Sequence, residues 1–345
     1  MEYNAQASAG HRASGPFMTA DRGFRACPFQ VQAAGRFSIL NTLYALASIR
    51  VPFLDTVFSL LTYLGSSVTA VAVPFIIFWC ISKRHGYFVF ANILFGTAVN
   101  QAAKFVCRVP RPFVRDPEFA IVENARADAT GYSFPSGHTS TVTALFGSLA
   151  MIWKNTAARI ACVLIIVVVG FSRMYLGVHY PTDVLGGLVC GLVLLILLRH
   201  VFRKSRENPK LLPLLFGIGA AVTLAAALVI EFVPWQDADP ANWRSAVRNL
   251  NLIFGCMLAV AVCEPIERRH IQFDTRAVWW AQLLKIVLGL AVILGLRTVI
   301  SPVISAVFGD MGIGSAILYF LMTSCAICVW PLTFRWFSRL GRSGK

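Results

Sequence analysis

Nine apolar runs follow one another along the chain, at residues 66–82, 87–107, 138–153, 158–176, 183–202, 211–233, 250–266, 277–299 and 314–334. Their lengths are close to the ~20 residues with which a helix crosses a bilayer. Lipid offers backbone N–H and C=O groups no partner, so such runs fold as helices that satisfy their own hydrogen bonds. The pattern predicts an all-α, polytopic membrane helical bundle of nine spans. Composition points the same way: 57% of the 345 residues are hydrophobic and 14% are charged, against roughly 25% charged in a soluble domain. That composition excludes a disordered chain and a disulfide-stapled secreted scaffold.

The chain carries a net charge of +15, which in a soluble protein would suggest nucleic acid. The charges fall instead in alternate loops. If the loop at Lys83 and Arg84 is cytoplasmic, the loops on its side hold 16 basic residues and the opposite loops hold eight. Topology then accounts for the excess through the positive-inside rule, and no nucleic-acid partner is expected. Residues 1–36 are polar and small and read as a loose tail without the apolar core of a signal peptide. Residues 37–63 hold two short apolar stretches broken by Arg50, Pro52 and Asp55 and read as interfacial helices. Most of the nine cysteines sit inside apolar runs, where thiols act as small hydrophobes.

Three segments gather ionisable residues at helix ends on the side opposite the basic loops: Lys104 to Pro112, Pro135 to His138, and Ser172 to Asp183. Lys104, Arg111 and Arg173 place three fixed cations at the rim, suited to a tetrahedral phosphoryl dianion. Ser136 and Gly137 begin a helix, so free N–H groups and the helix dipole point toward the same anion. His179 and Asp183 are four residues apart, a spacing that brings carboxylate and imidazole onto one face. The carboxylate can hold one ring nitrogen and leave the other to attack phosphorus. His138, on another helix, can protonate the leaving oxygen. A lone arginine at a helix end is most often a snorkelling anchor, but three segments converging on one anion site are not explained that way.

These segments resemble the three-part signature of the type 2 phosphatidic acid phosphatase superfamily: Lys, six residues, Arg-Pro; then Pro-Ser-Gly-His; then Ser-Arg, five residues, His, three residues, Asp. Every fixed position is matched. The superfamily includes lipid phosphate phosphatases, undecaprenyl pyrophosphate phosphatases, glucose-6-phosphatase and vanadium haloperoxidases. The resemblance implies that His179 is a nucleophile forming a phosphohistidine, with Asp183 its partner and His138 the general acid. Lys104, Arg111, Ser136, Gly137 and Arg173 would bind the phosphate, with no metal and no cofactor. The resemblance covers roughly residues 50–202; with the interfacial helices this makes a phosphatase core of residues 37–202, followed by C-terminal membrane helices over 203–345 that lie outside the signature. The expected activity is metal-independent hydrolysis of a lipid phosphate monoester or pyrophosphate at the outer leaflet of the cell membrane. A phosphatase of a soluble phosphate ester, a haloperoxidase, and a non-catalytic transporter or scaffold are the competing readings. The membrane composition opposes the haloperoxidase, and the presence of His179 and Asp183 opposes the scaffold.

Outside the signature, Lys285 lies deep in an apolar run and is expected to pair with Glu264 or Glu267. Cys325 and Cys328 read as packing residues rather than a redox pair. Trp235, Trp243, Trp279, Trp280 and Trp336 read as interfacial anchors. The acidic loop between Trp235 and Trp243 is a candidate lid.

Overall fold

A computed structural model describes residues 33–233, 238–309 and 312–340. Among the described residues the regular structure is helical: α1 (Ala33–Ser48), α2 (Pro52–Thr62), α3 (Ser67–Cys80), α4 (Lys83–Cys107), the short α5 (Pro112–Arg115), α6 (Gly137–Ile152), α7 (Thr156–Tyr175), α8 (Pro181–Lys204), α9 (Leu211–Phe232), α10 (Pro240–Ile266), α11 (Trp279–Phe308), α12 (Gly312–Ser324) and the short α13 (Phe334–Phe337). Side-chain caps set several starts. Ser82 Oγ accepts the His85 N–H at 3.4 Å, Asn155 Oδ1 that of Ala158 at 3.2 Å, and Asp239 Oδ1 that of Asn242 at 2.8 Å, each satisfying a donor that the first turn leaves free. Pro52, Pro181 and Pro240 open α2, α8 and α10, where a missing N–H costs nothing.

The protein is a multi-pass membrane helical bundle. Helices occupy all nine apolar runs, and among the described residues six are long and apolar enough to cross a membrane: α7, α8, α9, α10 with its continuation to Ile271, α11, and α12 with its continuation to Phe337. Residues 52–65 and α3, joined at a 48° bend, together reach that length as a seventh. At 14 and 16 residues, α3 and α6 are individually short. Interior position explains the polarity of α4 and α6, which bury Asn92, Asn100 and Lys104, and Thr139, Ser140, Thr143 and Ser148, against neighbouring helices rather than lipid.

Helix α4 is the pivot, packing against α3, α6 and α8 on one side and α10 on the other. Helices α6 and α8 approach closely through glycine: a Cβ at Gly187 would lie 2.6 Å from the Ser136 carbonyl oxygen. In the C-terminal half α10 runs between α9 and α12. An apolar core that includes Phe78, Trp79, Phe88, Phe202, Trp330 and Phe334 joins the two halves at the end where α4 begins and α8 finishes.

Several expectations need correction. Helix α1 begins at Ala33, four residues before the expected helix start at residue 37, because the alanines there extend the helix; residues 1–32 lie outside the described residues. Arg50, between the two expected interfacial helices, is held by polar groups: its Nε donates to the Tyr175 carbonyl at 2.9 Å and its Nη1 to the Ala120 carbonyl at 2.6 Å, while Tyr175 Oη donates to Asp55 at 2.9 Å. Lys285 pairs with neither glutamate. Its Nζ donates to the Thr275 carbonyl at 3.2 Å and lies 4.4 Å from the Phe334 ring. Glu264 is instead taken by Arg268 at 3.0 Å and Glu267 by Lys83 at 2.6 Å. Cys328 Sγ faces the Cys263 carbonyl at 3.7 Å and forms no disulfide. Trp279 and Trp336 are exposed, as anchors require. Trp243 instead donates its indole N–H to the Ile230 carbonyl at 2.8 Å, tying α10 to α9. Trp235 and most of the candidate lid lie outside the described residues.

Candidate active site

All three signature segments meet at the end of the bundle where α4 and α7 finish and α6 and α8 begin. His179 lies in the turn before α8 and is buried. Its Nδ1 stands 3.3 Å from Asp183 Oδ2. That carboxylate oxygen also accepts the Ser133 hydroxyl at 2.5 Å and the Tyr180 N–H at 2.8 Å. The second contact is the half of a capping box in which a residue three into the helix reaches back to the N-cap amide. Asp183 therefore reaches His179 by folding back over the helix start, not along a helical face. With Nδ1–H given to the carboxylate, the lone pair sits on Nε2.

Nε2 is 3.3 Å from Arg111 Nη1, which donates toward it. Arg111 is otherwise fixed to carbonyl oxygens: Nη1 donates to Val178 at 2.9 Å, Nε to Gly131 at 2.9 Å and Nη2 to Thr130 at 2.7 Å. Lys104 Nζ donates to the Tyr132 carbonyl at 2.9 Å. The two cations thus hold the loop before α6 as well as facing the site. Burial, partly offset by the attraction of Asp183, brings the Arg111 pKa down to about 10. Burial and then the Arg111 and Lys104 charges hold His179 well below the ordinary histidine range, so it rests as a neutral base.

His138, one residue into α6, is buried and its Nε2 has no hydrogen-bond partner. Ser136 caps the same helix, its Oγ accepting the Thr139 N–H at 3.4 Å and the Thr139 hydroxyl at 3.0 Å. The Ser136 N–H donates to the Asp183 carbonyl at 2.9 Å, locking α6 to α8. Arg173 is fully buried; Nη1 donates to Thr62 Oγ1 at 2.8 Å, and its Nε and Nη2 are unpartnered. Lys104, Arg111, Gly137, His138 and His179 line one cavity of about 740 Å³, while Ser136, Arg173 and Asp183 sit behind its wall. All eight signature residues are brought together. No three His, Cys, Asp or Glu side chains cluster to hold a metal ion among the described residues.

A family profile described as the PAP2 superfamily matches residues 84–207, and one described as PAP2 superfamily phosphatase, transmembrane extension, matches residues 251–343. Over 176 residues the chain is 32% identical to phosphatidylglycerophosphatase B of Bacillus subtilis (strain 168), covering 46% of this chain and 80% of that protein. The chain belongs to the PAP2 superfamily. It is also 35% identical over 113 residues to undecaprenyl-diphosphatase BcrC of the same strain, covering 33% of this chain and 55% of that protein. A longer stretch of 242 residues, 64% of this chain and 65% of the relative, is 25% identical to glucose-6-phosphatase 3 of Bos taurus. The chain spans about a third to about half the length of several curated relatives it matches.

Three contributors to this PAP2 site escaped the sequence reading. Ser133 supplies the shortest bond to Asp183, and its nearness to the Pro-Ser-Gly-His segment was a usable signal. Asn100, one turn before Lys104 on α4, lines the cavity and donates from Nδ2 to the Pro135 carbonyl at 3.2 Å; helical spacing would have found it. Thr62, which receives Arg173, lies 111 residues away and left no local trace.

Proposed function

We propose that the protein is a metal-independent phosphatase that hydrolyses a phosphate monoester or diphosphate borne by a lipid, through a phosphohistidine on His179, at the outer face of the cell membrane. The observation that carries this reading is the buried His179–Asp183 pair, whose imidazole meets Arg111 at Nε2 and lines a cavity shared with Lys104, Arg111 and His138. A phosphoryl dianion entering the cavity gives Arg111 an oxygen to bind in place of Nε2. The Nε2 lone pair then forms the N–P bond as the P–O bond to the lipid breaks, and Asp183 stabilises the imidazolium. His138 gives its proton to the departing oxygen; the incoming anion favours the protonated form of that ring. In the second half His138 takes a proton from water, whose oxygen attacks phosphorus and releases phosphate and free His179. The departing group is a lipid alcohol from a monoester and a lipid monophosphate from a diphosphate.

Lipid substrates are supported by the relatives named for undecaprenyl diphosphate and phosphatidylglycerophosphate. The outward orientation is supported by the uneven basic loops. The glucose-6-phosphatase relative favours a second reading, in which a soluble phosphate ester enters the same cavity.

Phosphate release should be measured on purified protein across phosphatidic acid, phosphatidylglycerophosphate, polyprenyl diphosphate, sphingosine phosphate and glucose 6-phosphate. Turnover is expected on a lipid substrate, insensitive to chelator and blocked by vanadate, which copies the five-coordinate transition state. His179→Ala is expected to abolish turnover and covalent labelling, and His138→Ala to accumulate acid-labile phosphoprotein. Acid-labile phosphate on the His179→Ala protein would remove His179 as nucleophile.

A further inference from the structure

The cavity does not end at the signature residues. Its far wall belongs to the C-terminal helices, with Ser245, Arg248 and Asn249 on α10, Arg297 on α11 and Tyr319 on α12. Arg248 is eight residues inside α10 from Pro240, and Arg297 is eleven residues before the last residue of α11, or about 12 and 16 Å along the helix axes. Both side chains are exposed in the protein and lie within two residues of an end of the apolar runs 250–266 and 277–299, where they line the cavity rather than the hydrocarbon core. Neither arginine makes a hydrogen bond or ion pair among the described residues, and both lie within electrostatic reach of Tyr319.

The charge balance extends the point. Lys104, Arg111, Arg248 and Arg297 line the cavity, and Asp128 is the one carboxylate among the described lining residues. With Asp128 and a phosphoryl dianion set against the four cations, one positive charge is left over, and the two cations without a partner among the described residues are on the C-terminal wall. A cavity of about 740 Å³ also exceeds what one phosphoryl group needs.

We propose that Arg248 and Arg297 form a second phosphoryl-binding subsite, which holds a second phosphoryl group while the first is presented to His179. The proposal rests on the phosphatase reading for its consequence in turnover but not for binding. It gives the C-terminal extension a role in selecting substrates that carry two phosphoryl groups. The guanidinium forks supply paired donors to the second group, and its charge supplies a counter-ion that neither arginine has among the described residues.

The test uses the full chain in a non-ionic detergent, with a monophosphate and a diphosphate of the same prenyl alcohol. In the Arg248→Gln/Arg297→Gln protein, KM for the diphosphate should rise about tenfold or more, kcat should stay within about twofold, and KM for the monophosphate should not move. The Arg248→Lys/Arg297→Lys protein should recover part of the difference. Equal effects on both substrates, or none on either, would overturn the proposal. Orthophosphate inhibition separates the sources: an unchanged inhibition constant assigns the subsite to a substrate's own second phosphoryl, and a constant that rises in parallel assigns it to free phosphate as well. A second arm does not depend on turnover. Inorganic diphosphate should raise the Tm of the wild-type chain more than that of the double glutamine variant. If no lipid is hydrolysed but this difference is present, the phosphatase reading fails and the subsite stands; equal stabilisation of the two proteins sinks the subsite.

Discussion

Asp183 Oδ2 serves three donors at once, Ser133 Oγ, the Tyr180 amide and His179 Nδ1, at 2.5, 2.8 and 3.3 Å. The imidazole contact is the longest, so the carboxylate's position is set by the other two and the ring is oriented by a group already fixed. Ser133→Ala should therefore lower kcat by roughly tenfold with little change in KM, the signature of a lost orienting contact. A change confined to KM would put Ser133 in substrate binding. The same burial gives His179 a testable pH behaviour. Its folded pKa lies well below the ordinary value, chiefly through burial and then the Arg111 charge. Below pH ~6.5 the unfolded chain gains a proton there that the folded chain does not. Stability from this group is complete above that pH and falls as pH drops, by about 1.4 kcal/mol per unit. The Tm of His179→Gln should thus be less acid-sensitive than that of wild type between about pH 7 and 5. Parallel acid profiles would show that His179 titrates normally.

Helix positions were legible because lipid imposes a strong length rule, and the site residues because three short motifs lie at helix ends. What did not show in the sequence has physical reasons. Helix α10 starts at Pro240, ten residues before the apolar run, because its first turns carry Asn242, Ser245, Arg248 and Asn249 toward a polar cavity rather than lipid. The Asp239-Pro240 cap was the missed signal. Lys285 was misassigned because its actual partners, the Thr275 carbonyl and the Phe334 ring, are a backbone atom and a residue 49 positions away. Helix order makes orientation testable. Cysteines introduced at Glu123, in the loop before α6, and at Arg206, after α8, are expected to react oppositely with an impermeant thiol reagent in intact cells. The native cysteines must first be removed from that background, and labelling should occur at position 123. Labelling at position 206 alone would place the chemistry inside.

On the scale of the whole molecule, the site lies at one end of the bundle, and its cavity follows α4 from Phe105 back to Phe90, a length of about 22 Å. Polar residues such as Lys104, Asn100 and Gln101 line one part, and Phe90, Ile93, Leu94, Leu252 and Ile253 line the deeper part. This gradient has the sense of a phospholipid, headgroup at the bundle end and tail toward the bilayer centre. Each buried methylene contributes about 0.8 kcal/mol, so a substrate tail entering the apolar stretch adds binding that the cations need not supply. If the protein accepts a lipid this way, kcat/KM should climb with acyl length in a series of phosphate monoesters and level off once the apolar stretch is filled. Detergent at fixed surface concentration of substrate removes the contribution of partitioning, so a rise that persists there reports contact with the cavity wall. Leu252→Asp should then flatten the series while leaving hydrolysis of the shortest ester within about twofold, because it alters the deep wall and not the phosphate end. A series already flat in the wild-type protein, with short soluble esters turned over as well as long ones, would replace the lipid reading with the soluble-ester reading of the same cavity.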